Sequence, residues 1–262
     1  DHLISAGVHG LFAVGSQGEA YALTPAEKRK VIEIVVDQTR GRVPVYAGTG
    51  AVTTSEAIAL TQMAEEVGAD AVSVITPYFI SPSQDELYEH YAAVAGRTRL
   101  PVLLYPNPGR THVNLSPDLV TRLSRIDNIV GIKDSAPTGI EQFIPLDNAG
   151  FCVMAGSAAF IYPTMRLGLR GGIASLGNAF PEALLQLWNY GRQGPDGEGQ
   201  AFHERITEAN RRVSGTYGVP GVKCAMDLAG LAGGYPRKPL RRLEGADREA
   251  VRQALVETGL LS

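Results

Sequence analysis

The sequence is poor in cysteine and contains no long hydrophobic run. Its two cysteines, Cys152 and Cys224, lie far apart in the chain and fit a reducing compartment better than a disulfide framework. No uninterrupted apolar stretch approaches the roughly 18 residues that a membrane-spanning helix needs, and the first residues show no secretory signal pattern. We therefore expect a cytoplasmic protein that is not inserted in a membrane.

An excess of charge is also missing. The formal net charge is −3, with 19% charged and 44% hydrophobic residues, which is ordinary for a soluble globular protein and suggests neither a nucleic acid nor a membrane surface as a partner. The five histidines make no ligand-spaced cluster with one another, so a divalent-metal mechanism is disfavoured. They are His2, His9, His90, His112 and His203, of which His112 is expected to be a solvated loop residue.

Lysine is scarce as well, and one lysine differs from the others in its surroundings. The chain has five lysines against nineteen arginines, and four of the lysines lie in polar or helical stretches. The fifth, Lys133, ends the apolar run 129–133, which is typical of a buried strand. Burial penalises an ammonium group and lowers its pKa, and the neutral amine is the form that attacks a carbonyl to make a Schiff base. A paired structural lysine is the alternative, and this run alone does not decide between them.

Short apolar runs alternate with segments of helical period over the first 180 residues. The helical segments carry capping signals, such as the capping box formed by Thr24 and Glu27. The runs are nearly all apolar, as expected for a parallel sheet covered on both faces, so the alternation predicts a doubly wound sheet or a closed barrel. The predicted strands are 9–15, 44–48, 71–76, 101–105, 129–133, 151–156 and 172–176, and the predicted helices between them are 24–39, 53–67, 84–98, 116–124, 138–146 and 158–169.

After Pro181 the pattern is helical to the end of the chain, with glycine-rich breaks at 193–199 and 230–236. No stretch has the composition of a linker to a second domain. We therefore expect residues 1–180 to form the α/β barrel and residues 181–262 to form a helical region packed on it.

In such a barrel, functional side chains lie where the strands end. The turn 15–19 follows the first run, and its backbone N–H groups and the hydroxyl of Ser16 suit a small anion, although an ordinary turn with a capping glutamate is the alternative. The loop 105–111 is held by prolines, and it presents a phenol at Tyr105 and a guanidinium at Arg110 that is suited to a carboxylate. A solvated arginine is the alternative for Arg110.

Aromatic side chains follow the strand 71–76. Tyr78 and Phe79 either line a pocket at this strand end or fill the core. Taken together, the strand ends supply a nucleophilic amine, a phenol that can move protons, an anion-binding turn and an arginine. This set of groups suits a reaction in which an amine condenses with a 2-oxo acid, because the resulting iminium withdraws electrons and no metal is needed.

Three motifs, in order and over essentially the whole chain, resemble those of the Schiff-base, pyruvate-dependent aldolase and lyase family that includes dihydrodipicolinate synthase and N-acetylneuraminate lyase. The turn 15–19 is similar to the family's G-[TS]-x-G-E turn, residues 105–111 to its Y-x-x-P-x-R-T loop, and residues 131–134 to its G-x-K-[DE] strand. The resemblance implies a (β/α)8 barrel with a C-terminal helical extension, a homotetramer, and no metal or organic cofactor.

The resemblance also implies a role for each matching residue. Lys133 would form the Schiff base, Tyr105 would shuttle protons, and Ser16 would hydrogen-bond the phenol. The backbone amides of Ser16 and Gln17 would hold the pyruvate carboxylate, Arg110 would bind the acid group of the second substrate, and the carbonyl of Ile173 would line the pocket.

Two positions depart from the synthase pattern. Gln17 stands where the synthases have a second hydroxyl residue, and Phe79 stands where they have a tyrosine contributed across a dimer interface. A phenylalanine cannot pass a proton, so the relay would depend on water or on Ser16 alone, or the second substrate would differ.

We expect a pyruvate-dependent carbon–carbon lyase or synthase, most similar to the enzymes that condense pyruvate with aspartate semialdehyde, because Arg110 is present. Gln17 and Phe79 favour the alternative, a lyase for 2-keto-3-deoxy sugar acids. A non-catalytic protein that binds a 2-oxo acid is a third hypothesis, which the presence of both Lys133 and Tyr105 disfavours.

The number of strands leads to a last expectation. Seven strand-like runs precede the helical region, whereas a barrel of this class closes with eight. Residues 1–7 read as the end of a helix, and a helix in this architecture follows a strand. We therefore expect the first strand to be absent from this chain as an N-terminal truncation, and an open seam between the runs beginning at His9 and Gly172.

Overall fold

The computed structural model describes residues 1–136, 139–194 and 197–262. Its strands form one parallel sheet in which each strand pairs with the next along the chain, the arrangement that βαβ units produce. This confirms the predicted α/β class. The strands are β1 Leu11–Ala13, β2 Val45–Gly48, β3 Ala71–Ile75, β4 Val102–Tyr105, β5 Ile129–Asp134, β6 Cys152–Ala155 and β7 Gly171–Gly172.

Helices connect the strands and continue after the sheet. They are α1 His2–Ala6, α2 Pro25–Thr39, α3 Thr54–Glu66, α4 Gln84–Ala95, α5 Pro108–Thr111, α6 Pro117–Leu123, α7 Ala158–Arg166, α8 Pro181–Gln193, α9 Gly197–Asn210, α10 Thr216–Leu228 and α11 Gly245–Glu257. The predicted capping box is confirmed, since the Thr24 hydroxyl accepts the N–H of Glu27 and the Glu27 carboxylate accepts the N–H of Thr24.

Two predicted elements differ from the structure. The strand predicted at 172–176 was wrong in extent, because β7 ends at Gly172 and a 3-10 turn occupies Ser175–Asn178. The helix predicted at 138–146 is a 3-10 helix over Ile140–Leu146 that contains Pro145, whose ring and missing N–H oppose an α-helix. Its predicted first residue, Thr138, lies outside the described residues, as do Pro195 and Asp196 of the predicted break at 193–199.

The sheet has two edge strands in the described part of the chain. β1 pairs only with β2, and β7 pairs only with β6, while the expected open seam between these two strands stays a prediction. A short helix lies where the sequence predicted helical structure: α1 spans His2–Ala6 and stops at Gly7 in a left-handed cap with φ 97°. That the first strand of an eight-stranded barrel is missing from this chain also stays a prediction.

Buried side chains form two clusters. The first lies between the sheet and the helices of residues 13–169, and its largest members are fully buried, as Tyr91 and Phe143 are. The second joins α7 to the C-terminal helices through residues such as Ile161, Leu187 and Ile206. The predicted boundary at residue 180 stays a prediction, and the second cluster crosses it. Among the described helices, none combines the length and the apolar character that crossing a bilayer requires.

Candidate active site

The structure places a lysine and a tyrosine at the same edge of the sheet. Tyr105 is the last residue of β4 and Lys133 the penultimate residue of β5, and neighbouring parallel strands bring their carboxyl ends together. The Lys133 side chain is buried, with 6% of the residue exposed. Its Nζ lies 3.9 Å from the ring centroid of Tyr105 and 5.0 Å from that of Phe12. The lysine side chain therefore lies against two aromatic rings.

Burial and proximity shift the pKa values of both groups. Burial lowers the pKa of Lys133 because it disfavours the ammonium form, although the neighbouring Tyr105 opposes this shift. Burial by itself would raise the pKa of Tyr105. The charge of Lys133, with hydrogen bonds from Ser16 and Asn107, outweighs burial and lowers that pKa below its ordinary value of 10.0. The amine is thus closer to its nucleophilic form than an exposed lysine, and the phenol gives up its proton more readily while that amine is charged.

Two side chains fix the phenol of Tyr105. The Ser16 hydroxyl lies 3.2 Å from the Tyr105 hydroxyl, in agreement with the contact that the resemblance implied. The amide of Asn107 donates to the same oxygen at 3.0 Å. We did not predict a role for Asn107. Its position two residues after the tyrosine, between two prolines that stiffen the loop, is the sequence signal that could have indicated it.

The turn after β1 approaches β2 closely. A Cβ atom on Gly48 would lie 2.1 Å from the carbonyl oxygen of Val14, so only glycine allows this approach. The turn is closed by a bond from the N–H of Glu19 to the carbonyl of Ser16. In the described residues, no acceptor is bonded to the backbone N–H of Ser16 or Gln17, so both are available to an anion. The side-chain Oε1 of Gln17 is also buried without a partner there.

Hydroxyl groups fix the loop after β4. The Thr111 hydroxyl donates to the backbone carbonyl of Asn107 at 3.1 Å and accepts from the Thr76 hydroxyl at 2.9 Å, which ties the loop to the end of β3. Arg110 is exposed on this loop, and its guanidinium makes no hydrogen bond or ion pair with the described residues. A Cβ atom on Gly218 of α10 would lie 3.6 Å from Arg110 Nη2, so the arginine lies beside the C-terminal region.

The remaining predicted residues lie around this edge. Ile173 directly follows β7 and is half-buried. Tyr78 is half-buried, and burial together with the charge of Glu56 raises its pKa. Phe79 is 96% exposed with φ 72°, so within this chain it neither lines a pocket nor fills the core. His112 is exposed, as expected.

Metal ligands are not gathered in the described part of the chain. Within residues 1–136, 139–194 and 197–262, there is no group of three or more histidine, cysteine, aspartate and glutamate side chains that could hold a metal ion. The chemistry that the site offers is that of its amine, phenol and N–H donors. A desolvated amine beside a hydrogen-bonded phenol is the arrangement used to form a Schiff base with a carbonyl compound.

Comparison with known proteins agrees with this class of site. The model of the dihydrodipicolinate synthetase family matches residues 1–258, and the chain belongs to that family. The chain is 37% identical to 4-hydroxy-tetrahydrodipicolinate synthase of Stutzerimonas stutzeri, over 100% of this chain and 90% of the relative.

Solved structures show the same fold. Chloride-inhibited dihydrodipicolinate synthase from Acinetobacter baumannii, complexed with pyruvate, is 34% identical with a TM-score of 0.91, over 99% of this chain and 90% of the other. The prophage protein YagE of E. coli K12, also in complex with pyruvate, is 30% identical with a TM-score of 0.92, over 99% and 90% of the two chains.

Proposed function

We propose that this chain is a pyruvate-dependent lyase that works through a Schiff base, and that it condenses pyruvate with aspartate semialdehyde as a 4-hydroxy-tetrahydrodipicolinate synthase. The observation that carries the proposal is the buried amine of Lys133, 3.9 Å from the ring of Tyr105 at the carboxyl edge of the sheet. Family membership and the names of the relatives support the reaction class.

In the proposed reaction, the neutral amine of Lys133 attacks C2 of pyruvate and forms a C–N bond. The C2 oxygen leaves as water, with protons that pass through the phenol of Tyr105, and an iminium remains. A proton then leaves C3, giving an enamine whose C3 attacks the aldehyde carbon; the aldehyde oxygen takes up a proton and the iminium re-forms. The amino group of aspartate semialdehyde then attacks C2, and the C–N bond to Lys133 breaks as the ring closes, which releases the cyclic product and restores the amine.

The other groups bind the two substrates in this proposal. The free N–H groups of Ser16 and Gln17 hold the pyruvate carboxylate, and the carbonyl of Ile173 lines the same pocket. The unpaired guanidinium of Arg110 binds the acid group of the second substrate, since its fork matches a carboxylate in two parallel hydrogen bonds. We assign Tyr78 to the wall of this second subsite.

A specific observation favours a second candidate, cleavage of 2-keto-3-deoxy sugar acids to pyruvate and an aldehyde. The Gln17 Oε1 atom is buried without a partner among the described residues, and a substrate hydroxyl would satisfy it. The fully exposed Phe79 lies where the synthases carry a tyrosine, so the chain lacks one hydroxyl group of that relay.

We also propose a cellular location, an oligomeric state and a cofactor requirement. The enzyme acts as a cytoplasmic homotetramer on small molecules, without a metal or organic cofactor. Both cysteines are free in the structure, which suits a reducing compartment.

Incubation of the protein with pyruvate and a panel of aldehydes, read by mass spectrometry, tests the proposed function. We expect a condensation product with aspartate semialdehyde, and none with the Lys133→Met variant, which keeps an apolar side chain without the amine. Products from sugar aldehydes alone would support the second candidate. No product with any aldehyde would contradict both.

A further inference from the structure

A buried glutamate that the reaction does not use lies at the end of the turn after β1. Glu19 is 7% exposed and has a left-handed backbone, with φ 57°. Its Oε1 accepts the backbone N–H of Arg237 at 2.6 Å, and its Oε2 lies 3.3 Å from Nζ of Lys223. Burying a carboxylate costs free energy unless the group is paired and hydrogen-bonded. These two partners therefore stabilise the Glu19 side chain in its buried position.

One partner of Glu19, Arg237, lies in a segment that follows α10, and the other, Lys223, lies in α10 itself. We call residues 230–243, between α10 and α11, the C-terminal segment. Lys223 Nζ donates to the carbonyl of Gly233 at 3.1 Å, and the N–H of Gly233 donates to Asp227 at 2.9 Å. A Cβ atom on Gly233 would lie 1.9 Å from the carbonyl oxygen of Lys223, so only glycine packs here. The segment is therefore fixed to α10 by contacts that do not involve Glu19.

The same helix reaches the other side of the site. Gly218 interrupts α10 with φ 59° and ψ −133°, and a Cβ atom there would lie 3.6 Å from Nη2 of Arg110. Hence α10 contacts the loop after β4 near Gly218 and, through Lys223, the turn after β1. These are the two loops that carry the proposed second-substrate and pyruvate contacts.

From these contacts we propose that Glu19 is a positioning residue: its carboxylate ties the C-terminal segment to the turn 15–19 and so holds Ser16 against Tyr105. Glu19 closes that turn through its own N–H, which is bonded to the Ser16 carbonyl. A displacement of its side chain therefore moves the residue that hydrogen-bonds the phenol and the N–H groups that face the substrate carboxylate. The inference rests on the proposed function, because it assigns Glu19 to the pyruvate subsite.

Three variants separate positioning from simple structural support. Glu19→Ala removes both contacts. Glu19→Gln keeps an oxygen for the Arg237 N–H but loses the charge that faces Lys223. Gly233→Ala disturbs the C-terminal segment without changing any charge. The matched controls are Lys30→Met, an exposed lysine of α2, and Gly197→Ala, where a Cβ atom meets nothing within 4 Å.

The measurements are KM for pyruvate, kcat, the pH dependence of imine formation and the melting temperature, with assays well below melting. We expect Glu19→Ala and Gly233→Ala to raise KM for pyruvate about tenfold or more and to move the pH limb that belongs to Tyr105. For Glu19→Gln, the KM for pyruvate and the position of the pH limb should lie between those of these two variants and those of the wild type. Both control variants should give wild-type values.

A lower melting temperature with unchanged KM and pH limb, in Glu19→Gln and Gly233→Ala alike, would overturn the inference. Trapping of pyruvate on the wild-type protein with borohydride separates this failure from a failure of the proposed function. If pyruvate is trapped on the wild type but the variants keep its KM and pH limb, only the positioning role is wrong. If no pyruvate is trapped on the wild type, the proposed function fails and the inference fails with it.

Discussion

Replacement of Asn107 tests whether hydrogen bonding tunes the phenol of Tyr105. The Asn107 amide donates to that oxygen at 3.0 Å, and a donor stabilises a phenolate more than a phenol. Hydrogen bonds contribute about 1.5–3 kcal/mol when one partner is charged and about 0.5–1.5 kcal/mol when neither is. The difference is roughly 1–1.5 kcal/mol, so Asn107→Ala should raise the pKa of Tyr105 by about one unit.

The same energy affects the rate, since about 1.4 kcal/mol of barrier corresponds to a factor of ten. We expect imine formation in Asn107→Ala to slow by about tenfold, and to a smaller extent in Ser16→Ala, whose contact is longer at 3.2 Å. In Tyr105→Phe the rate of imine formation should fall by about 10²–10⁴-fold, because this substitution removes the proton-transfer group itself.

Single-turnover imine formation with pyruvate, measured across pH, provides the assay. The limb of the profile that disappears in Tyr105→Phe belongs to the phenol, and it should lie about one pH unit higher in Asn107→Ala. The control is the variant Asn189→Ala, which changes an exposed asparagine of α8. An unmoved limb and a rate within twofold of the wild type in Asn107→Ala would refute the reasoning.

Three further predictions address binding, pH and packing. Arg110→Ala should raise KM for the second substrate and leave pyruvate trapping intact, because its guanidinium is assigned to that substrate alone; lost trapping would reverse the assignment. Burial raises the pKa of Asp134 from 3.8 to about 6, so ionisation disfavours folding as pH rises through this range. Asp134→Asn should therefore stabilise the protein by up to about 3 kcal/mol at pH 7 and by nothing below pH ~4, as chemical denaturation would show. Gly48→Ala should destabilise the fold by roughly 1–3 kcal/mol or more, because its Cβ meets the Val14 carbonyl. Gly197→Ala should leave stability unchanged. Equal midpoints of chemical denaturation for these two variants would contradict this account.

Local composition was enough to predict the strand that carries Lys133. A strand buried on both faces is a continuous apolar run, and β5 spans Ile129–Asp134 where the run 129–133 was predicted. The last strand was less predictable. The run 172–176 is also apolar, but β7 has only two residues, and the chain turns into a 3-10 helix at Ser175. Hydrophobicity alone does not show where such a run leaves the sheet.

Contacts between distant parts of the chain could not be read from the sequence. The bond between Glu19 and the N–H of Arg237 joins residues 218 positions apart, and no local pattern encodes such a pairing. The contact of α10 with Arg110 is of the same kind. By contrast, Tyr105 and Lys133 could be expected together, because both lie near the carboxyl ends of neighbouring parallel strands.

Trapping of the Schiff base tests the central claim most directly. The protein is incubated with pyruvate and borohydride, digested, and mapped by mass spectrometry, with Lys133→Met as the control. We predict one reduced pyruvyl group on Lys133 and none on Lys28, although burial lowers the pKa of that lysine too. The label should form equally in the presence of EDTA. Label on Lys28 or Lys223 in place of Lys133, or no label at all, would contradict the account.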